Sequence, residues 1–170
     1  MGIKEKILGF LEYCELEKQL SLKTIKMYEY YLNFFQKWLF LSKKIEDFPV
    51  EKIDDNIVRS FRLYLSHEYK NPFKGVLKRQ TQIYFLVALR SFLRYLVRQR
   101  VTSLSPDMVE LGKSGDRMIK VLSPEKLKLL FEIIDTKDEI GLRDRTILEV
   151  LFSTGLRVSE LVALNREDIN

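Results

Sequence analysis

Hydrophobic residues recur every three or four positions through the first hundred residues, which is the pattern of amphipathic helices. The pattern predicts four helices, over residues 2–19, 22–41, 55–69 and 79–100. No useful stretch of alternating polar and apolar residues precedes residue 100, so this half is expected to be an all-α bundle. The expected core faces are Ile3, Ile7, Phe10, Leu11 and Cys14, then Leu22, Ile25, Tyr28, Leu32, Phe35, Trp38 and Leu39, then Ile57, Val58, Phe61, Leu65 and Tyr69, and finally Ile83, Leu86, Leu89, Phe92, Leu93 and Leu96.

Serine, proline and glycine interrupt the helical pattern after residue 101 and predict a partly basic linker. We therefore expect a first domain at 1–102, a linker at 103–122 and a second domain at 123–170. Ser123, Pro124 and Glu125 are typical of a helix start, with an N-cap, a proline and an acid in the first turn. That helix is predicted to end near Ile134.

The second domain contains an apolar helix, a glycine break at Gly155 and a further apolar helix. Gly155 suits a helix C-terminus because it adopts positive φ without strain. Arg157 is then expected between two packed helices, where its planar guanidinium would suit a phosphate. A structural salt bridge is an equally physical interpretation of such an arginine. The two predicted apolar stripes are Leu148, Leu151 and Phe152, and Val158, Leu161, Val162 and Leu164.

Composition excludes several classes of function. No apolar run is long enough to span a membrane, and the charged start is not a signal peptide. The single cysteine, Cys14, cannot form an internal disulfide and is expected to be a buried apolar residue in a reducing compartment. With Cys14 and one histidine, His67, a zinc site is not expected.

Charge is distributed unevenly along the chain. Residues 1–69 carry eleven basic and eleven acidic side chains, whereas residues 70–100 carry eight basic residues and no acid. Such a one-sign segment favours a polyanion partner over a merely solvated face, which usually mixes signs. Arg90, Arg94 and Arg98 recur every four residues and are expected to form one ridge. The other basic residues of the block are Lys70, Lys74, Lys78, Arg79 and Arg100.

The stretch Ser153-Thr154-Gly155-Leu156-Arg157-Val158-Ser159-Glu160-Leu161 closely resembles the first catalytic-arginine box of the tyrosine recombinases, the phage-integrase and Xer group. The resemblance runs from Gly141 to Ile169. Less specific similarities are Ser21 to Thr24, Ala88 to Leu96, the linker around Pro106 to Lys113, and Val121 to Glu125.

The resemblance implies a mainly α fold: a four-helix core-binding (SAM-like) domain, a linker and the first helices of an α+β catalytic domain. It implies that Arg157 binds a non-bridging oxygen of the scissile DNA phosphate and that Glu160 holds that arginine in place. It further implies double-stranded DNA as the partner, a tetramer on DNA for the complete enzyme, no metal or cofactor, and a cytoplasmic, nucleoid-associated protein. By position, the implied DNA contacts are Thr24, Lys26, Met27, Tyr30, Lys78, Arg79, Gln80, Thr81, Tyr84 and Arg90.

The chain departs from the family pattern in its tyrosines. The family nucleophile is a tyrosine that forms a 3′-phosphotyrosine link, assisted by a second arginine, a hairpin lysine and histidines. All eight tyrosines here lie between Tyr13 and Tyr95, before Arg157, and the remaining catalytic groups would lie beyond Asn170. This chain alone is therefore expected not to cleave DNA. Two alternatives remain open: a non-catalytic DNA-binding relative, and a helical protein-interaction domain.

Overall fold

A computed structural model describes residues 2–73, 75–112 and 121–168. The predicted loop residue Lys74, the linker stretch 113–120 and the last two positions lie outside these residues. The chain divides into two compact units, residues 1–116 and 117–170, and each is described by itself.

The first unit is the predicted helical bundle. Its helices are α1 (Ile3–Leu16), α2 (Leu22–Lys43), α3 (Asp55–Leu63) and α4 (Arg79–Arg98). Local signals fix where they begin: the Ser21 hydroxyl accepts a hydrogen bond from the Thr24 N–H, and Asp54 does the same for Ile57. The mainly α fold class is confirmed.

The core of this unit is aromatic and aliphatic. Phe35, Phe61 and Phe92 are fully buried. Phe35 and Phe61 meet edge-on, with ring centroids 4.8 Å apart, a favoured aromatic geometry. Cys14 is buried as expected, and its apolar surroundings raise the pKa of the thiol. The thiol is therefore a core group and not a reactive one.

The core prediction was wrong for Leu22, which begins α2 and is 68% exposed. Leu11, within α1, is half-buried and packs against the core. The third helix does not continue to residue 69: α3 passes into a π-helical turn over Tyr64–Glu68.

The first hundred residues also contain two short strands, contrary to the all-α prediction. Strands β1 (Lys70–Asn71) and β2 (Gly75–Val76) pair antiparallel, with Lys70 opposite Val76. They escaped prediction because two-residue strands show no alternation.

The segment after α4 packs against the bundle. A 3₁₀ turn spans Pro106–Met108, and Val109 that follows is completely buried in the core. Arg62 of α3 donates a hydrogen bond to the Glu110 carbonyl. We call residues 104–112 the strap. Much of the stretch predicted as an extended linker is thus docked on the first unit.

The second unit contains α5 (Pro124–Ile133), α6 (Glu139–Thr154), α7 (Val158–Val162) and a 3₁₀ turn at Arg166–Asp168. Its start is as predicted: the Ser123 hydroxyl accepts from the Lys126 N–H, and that hydroxyl also lowers the pKa of Glu125.

The predicted burial of the second unit was wrong. Phe152, Val158 and Val162 are 65%, 67% and 79% exposed, and no described residue from 121 to 168 is fully buried. Phe152 has one edge-on aromatic neighbour, Phe131, at 6.1 Å. A unit that spans only residues 117–170 offers too little surface to bury both stripes.

Candidate nucleic-acid interface and arginine site

One face of α2 carries the first group of predicted DNA contacts. Lys26, Met27 and Tyr30 are exposed on successive turns of the helix. Thr24 is half-buried, and its hydroxyl lies 3.0 Å from that of Ser21. Thr24 is therefore engaged with the helix cap at Ser21. The exposed side chains of this face are those of Lys26, Met27 and Tyr30.

The first turns of α4 carry the second group. Lys78 precedes the helix, and its side chain does not cap the first N–H groups of α4. Arg79, Gln80 and Tyr84 are exposed, whereas Thr81 is half-buried. A basic helix start with its positive dipole end favours phosphate oxygens.

A cluster of tyrosines joins these two faces. Tyr31 of α2 is buried, and its ring meets Phe85 of α4 edge-on at 4.6 Å. Burial raises the pKa of Tyr31, and the hydroxyls of Tyr30 and Tyr84 raise it further. Tyr30 and Tyr84, predicted from separate helices, therefore both lie near one buried phenol. We call the exposed side chains Lys26, Met27, Tyr30, Lys78, Arg79, Gln80 and Tyr84 the α2–α4 face.

The arginine ridge of α4 is not a single cationic surface. The Arg90 guanidinium donates to the Pro106 carbonyl at 3.1 Å and to Asp107 at 3.2 Å. Arg98 pairs with Glu17 at 3.3 Å. Arg94 lines an aromatic cleft of about 310 Å³ between α1, α2 and α4. The ridge prediction missed these partners because the acids come from distant parts of the chain.

Arg157 lies at the junction between α6 and α7 in the second unit. Gly155 ends α6 with φ of +68°, and its N–H donates to the Leu151 carbonyl at 3.0 Å. The glycine therefore meets the positive-φ requirement that the sequence predicted. Arg157 is the N-cap residue of α7, so its backbone is fixed while its side chain is 82% exposed. It is not enclosed between two packed helices as predicted.

Glu160 accepts two hydrogen bonds from Arg157. One carboxylate oxygen accepts from the Arg157 backbone N–H at 2.7 Å, and the other accepts from its Nη1 at 2.9 Å. The backbone bond belongs to the helix start, since a glutamate at this position caps the N-terminus. Both bonds together aim an exposed guanidinium in one direction, with N–H groups left for another anion.

Two further properties concern the described residues only. Among residues 2–73, 75–112 and 121–168, no group of three or more histidine, cysteine or acidic side chains is placed to hold a metal ion. No helix in those same ranges combines the length and hydrophobicity needed to cross a membrane.

The sequence did not predict that the strap docks on the bundle. It also did not predict that Phe73, in the turn between β1 and β2, is 94% exposed. The sequence Asn71-Pro72-Phe73-Lys74-Gly75 predicts a turn and a basic loop. A large aromatic residue in a turn, where polar residues predominate, was the available signal.

Comparison with known proteins agrees with the resemblance. Residues 7–100 match the model of the phage integrase N-terminal SAM-like domain, and residues 120–170 match that of the phage integrase family. No solved structure matches the chain.

Several curated relatives are similar over nearly the whole chain. Tyrosine recombinase XerD of Listeria innocua is 33% identical over 95% of this chain and 52% of its own length. Tyrosine recombinase XerC of Bacillus pumilus is 35% identical over 95% of the chain and 50% of its own length. The chain thus spans about half the length of these relatives. On the strength of both domain matches, the chain belongs to the phage integrase family and resembles its Xer tyrosine recombinases.

Proposed function

We propose that this chain is the DNA-binding and first-arginine portion of a site-specific tyrosine recombinase. The first unit binds duplex DNA through the α2–α4 face. The second unit presents Arg157 to the scissile phosphate. The contact of Tyr30 of α2 with Phe85 of α4, at a centroid distance of 6.1 Å, supports the first part of this proposal, because it brings the predicted contacts of α2 beside the start of α4 that carries the second group.

The chemistry of the face suits duplex DNA. Lys26, Lys78 and Arg79 supply cations for phosphates, while Gln80 and the two phenols supply groups for phosphates, sugars or base edges. No acid occurs between residues 70 and 100 in the sequence, so nothing in that segment repels a polyanion. Arg90 contributes less to this surface than the family resemblance implied, because its guanidinium donates hydrogen bonds to the Pro106 carbonyl and to Asp107.

The proposed role of Arg157 is electrostatic. When a tyrosine hydroxyl attacks the phosphodiester, negative charge develops on the non-bridging oxygens, and a pre-aimed guanidinium stabilises it. Glu160 keeps the guanidinium in place and limits the reorganisation that the reaction requires. The nucleophile itself is not among the eight tyrosines of this chain, which all precede Arg157 in the sequence. We therefore expect the chain alone to bind DNA without cutting it.

Fluorescence anisotropy with a labelled 30-bp duplex tests the binding surface. Lys26→Gln combined with Arg79→Gln should weaken binding by about tenfold or more, since each removes a phosphate contact. Lys43→Gln combined with Lys44→Gln is the matched control, with the same loss of charge at exposed positions at the far end of α2. Equal losses in the two double variants would mean that net charge, and not this face, determines binding.

A further inference from the structure

The hairpin between α3 and α4 presents an aromatic side chain directly to solvent. Phe73 is 94% exposed, the largest exposure among the large apolar side chains of the described residues. A fully hydrated phenyl ring gains nothing for folding, so its presence at this tip is not explained by the core of the unit.

Hydrogen bonds connect the described residues of the hairpin. The Phe73 N–H donates to the Asn71 side-chain oxygen at 3.0 Å, and the two strands pair Lys70 with Val76 and Asn71 with Gly75. Gly75 has φ of +68°, a conformation that glycine adopts without strain. Phe73 is therefore tied through Asn71 to the paired strands.

The two ends of the hairpin contact α2 and α4. Tyr69, just before β1, meets Phe34 of α2 edge-on at 4.8 Å. On the other side, the Leu77 carbonyl accepts from the Gln82 side chain of α4 at 3.0 Å. The hairpin consequently leaves the bundle beside the helices that carry Tyr30 and Tyr84.

The positive charge that flanks the turn favours a polyanion as the partner of Phe73. Lys70 lies in β1, and Lys78 and Arg79 follow β2, with no acid in the sequence from residue 70 to residue 100. A protein surface that buried the ring would also have to neutralise these cations, whereas duplex DNA offers phosphates beside apolar base steps. Phenylalanine is among the side chains that wedge into base steps in this setting.

We propose that Phe73 is a DNA wedge: it inserts its ring at a base step while Lys78 and Arg79 hold the adjoining phosphates. This inference rests on the proposed function and adds that the bound duplex is locally unstacked. Flexible pyrimidine–purine steps, which unstack most easily, should be the preferred insertion points.

The test uses the complete 170-residue chain and a 30-bp duplex with 2-aminopurine placed in several TpA steps. Binding of the unaltered chain should brighten 2-aminopurine, whose fluorescence rises when it is unstacked. Phe73→Ala should abolish the brightening and weaken binding by about fivefold or more, a typical loss for one stacked aromatic. Phe73→Leu, which keeps an apolar wedge, should retain most of the signal.

The control variant is Phe40→Ala, which removes another exposed aromatic ring, 45% accessible and near the far end of α2. It should leave both affinity and brightening unchanged. The wedge is overturned if Phe73→Ala binds and brightens like the unaltered chain, or if it alters only self-association of the protein. Failure of the unaltered chain to bind any duplex would instead overturn the proposed function.

Discussion

The guanidinium of Arg90 lies 3.2 Å from the carboxylate of Asp107 and 3.1 Å from the Pro106 carbonyl. These contacts join the middle of α4 to the strap, 16 and 17 residues further along the chain. They also neutralise a cation that the family resemblance implied as a DNA contact. If the proposed function holds, the strap therefore competes with a phosphate for Arg90.

Asp107→Asn should raise the affinity for duplex DNA by about two- to fivefold, the range expected when one partly exposed ion pair no longer competes. Glu110→Gln is the control, since it removes the same charge from the same strap but has no ion pair with Arg90. Anisotropy titrations measure both. An equal gain in the two variants would show a general charge effect and no competition for Arg90.

Val109 anchors the strap in the core, where it is completely buried. Val109→Ala should lower the free energy of unfolding by about 2 kcal/mol, through lost burial and the cavity left behind. Met108→Ala, at a neighbouring position that is 54% exposed, should cost less than about 0.5 kcal/mol. Urea denaturation distinguishes the two, and similar midpoints would mean that the strap is not part of the cooperative core.

The tyrosine cluster predicts an alkaline limit to stability. Burial raises the pKa of Tyr31 above its ordinary value of 10.0, so the folded state holds this proton more tightly than the unfolded state. The resulting stability is fully present below pH 10 and is lost as pH rises through the folded-state pKa. Urea midpoints should fall above pH 10, and less steeply in Tyr31→Phe. Identical alkaline slopes would contradict a buried phenol.

Arg157→Ala should change the affinity of this chain for DNA by less than about twofold. One exposed arginine adds little to a surface of many phosphate contacts, and its proposed contribution is made in the transition state. Anisotropy measures the affinity directly. A loss above about tenfold would mean that Arg157 belongs to the main binding surface.

Sequence reasoning succeeded where the signal was local. Ser123 caps the helix it precedes, and Gly155 ends α6, because each effect involves residues within one turn. The Arg157–Glu160 pair has the same local character, at a separation of three residues. For this reason, the helices of the bundle and the glycine break before Arg157 could be anticipated, whereas the exposure of the Arg157 side chain could not.

Prediction failed where the answer depended on residues far apart in the chain. Leu22 and Phe152 have apolar spacing but lack neighbours that cover them. Arg90 finds Asp107 only after the strap docks, and Tyr30 of α2 meets Phe85 of α4 only in the folded bundle. No periodicity or spacing encodes such contacts.

The most direct test of DNA binding by the α2–α4 face is the salt dependence of its affinity for duplex DNA. If the face makes roughly six to ten phosphate contacts, affinity should fall by about 10³–10⁵ between about 50 and 200 mM salt. Lys26→Gln and Arg79→Gln should each reduce the slope of log affinity against log salt by about 1, while Lys43→Gln leaves it unchanged. A flat salt response, or a slope that all three variants reduce equally, would contradict the account.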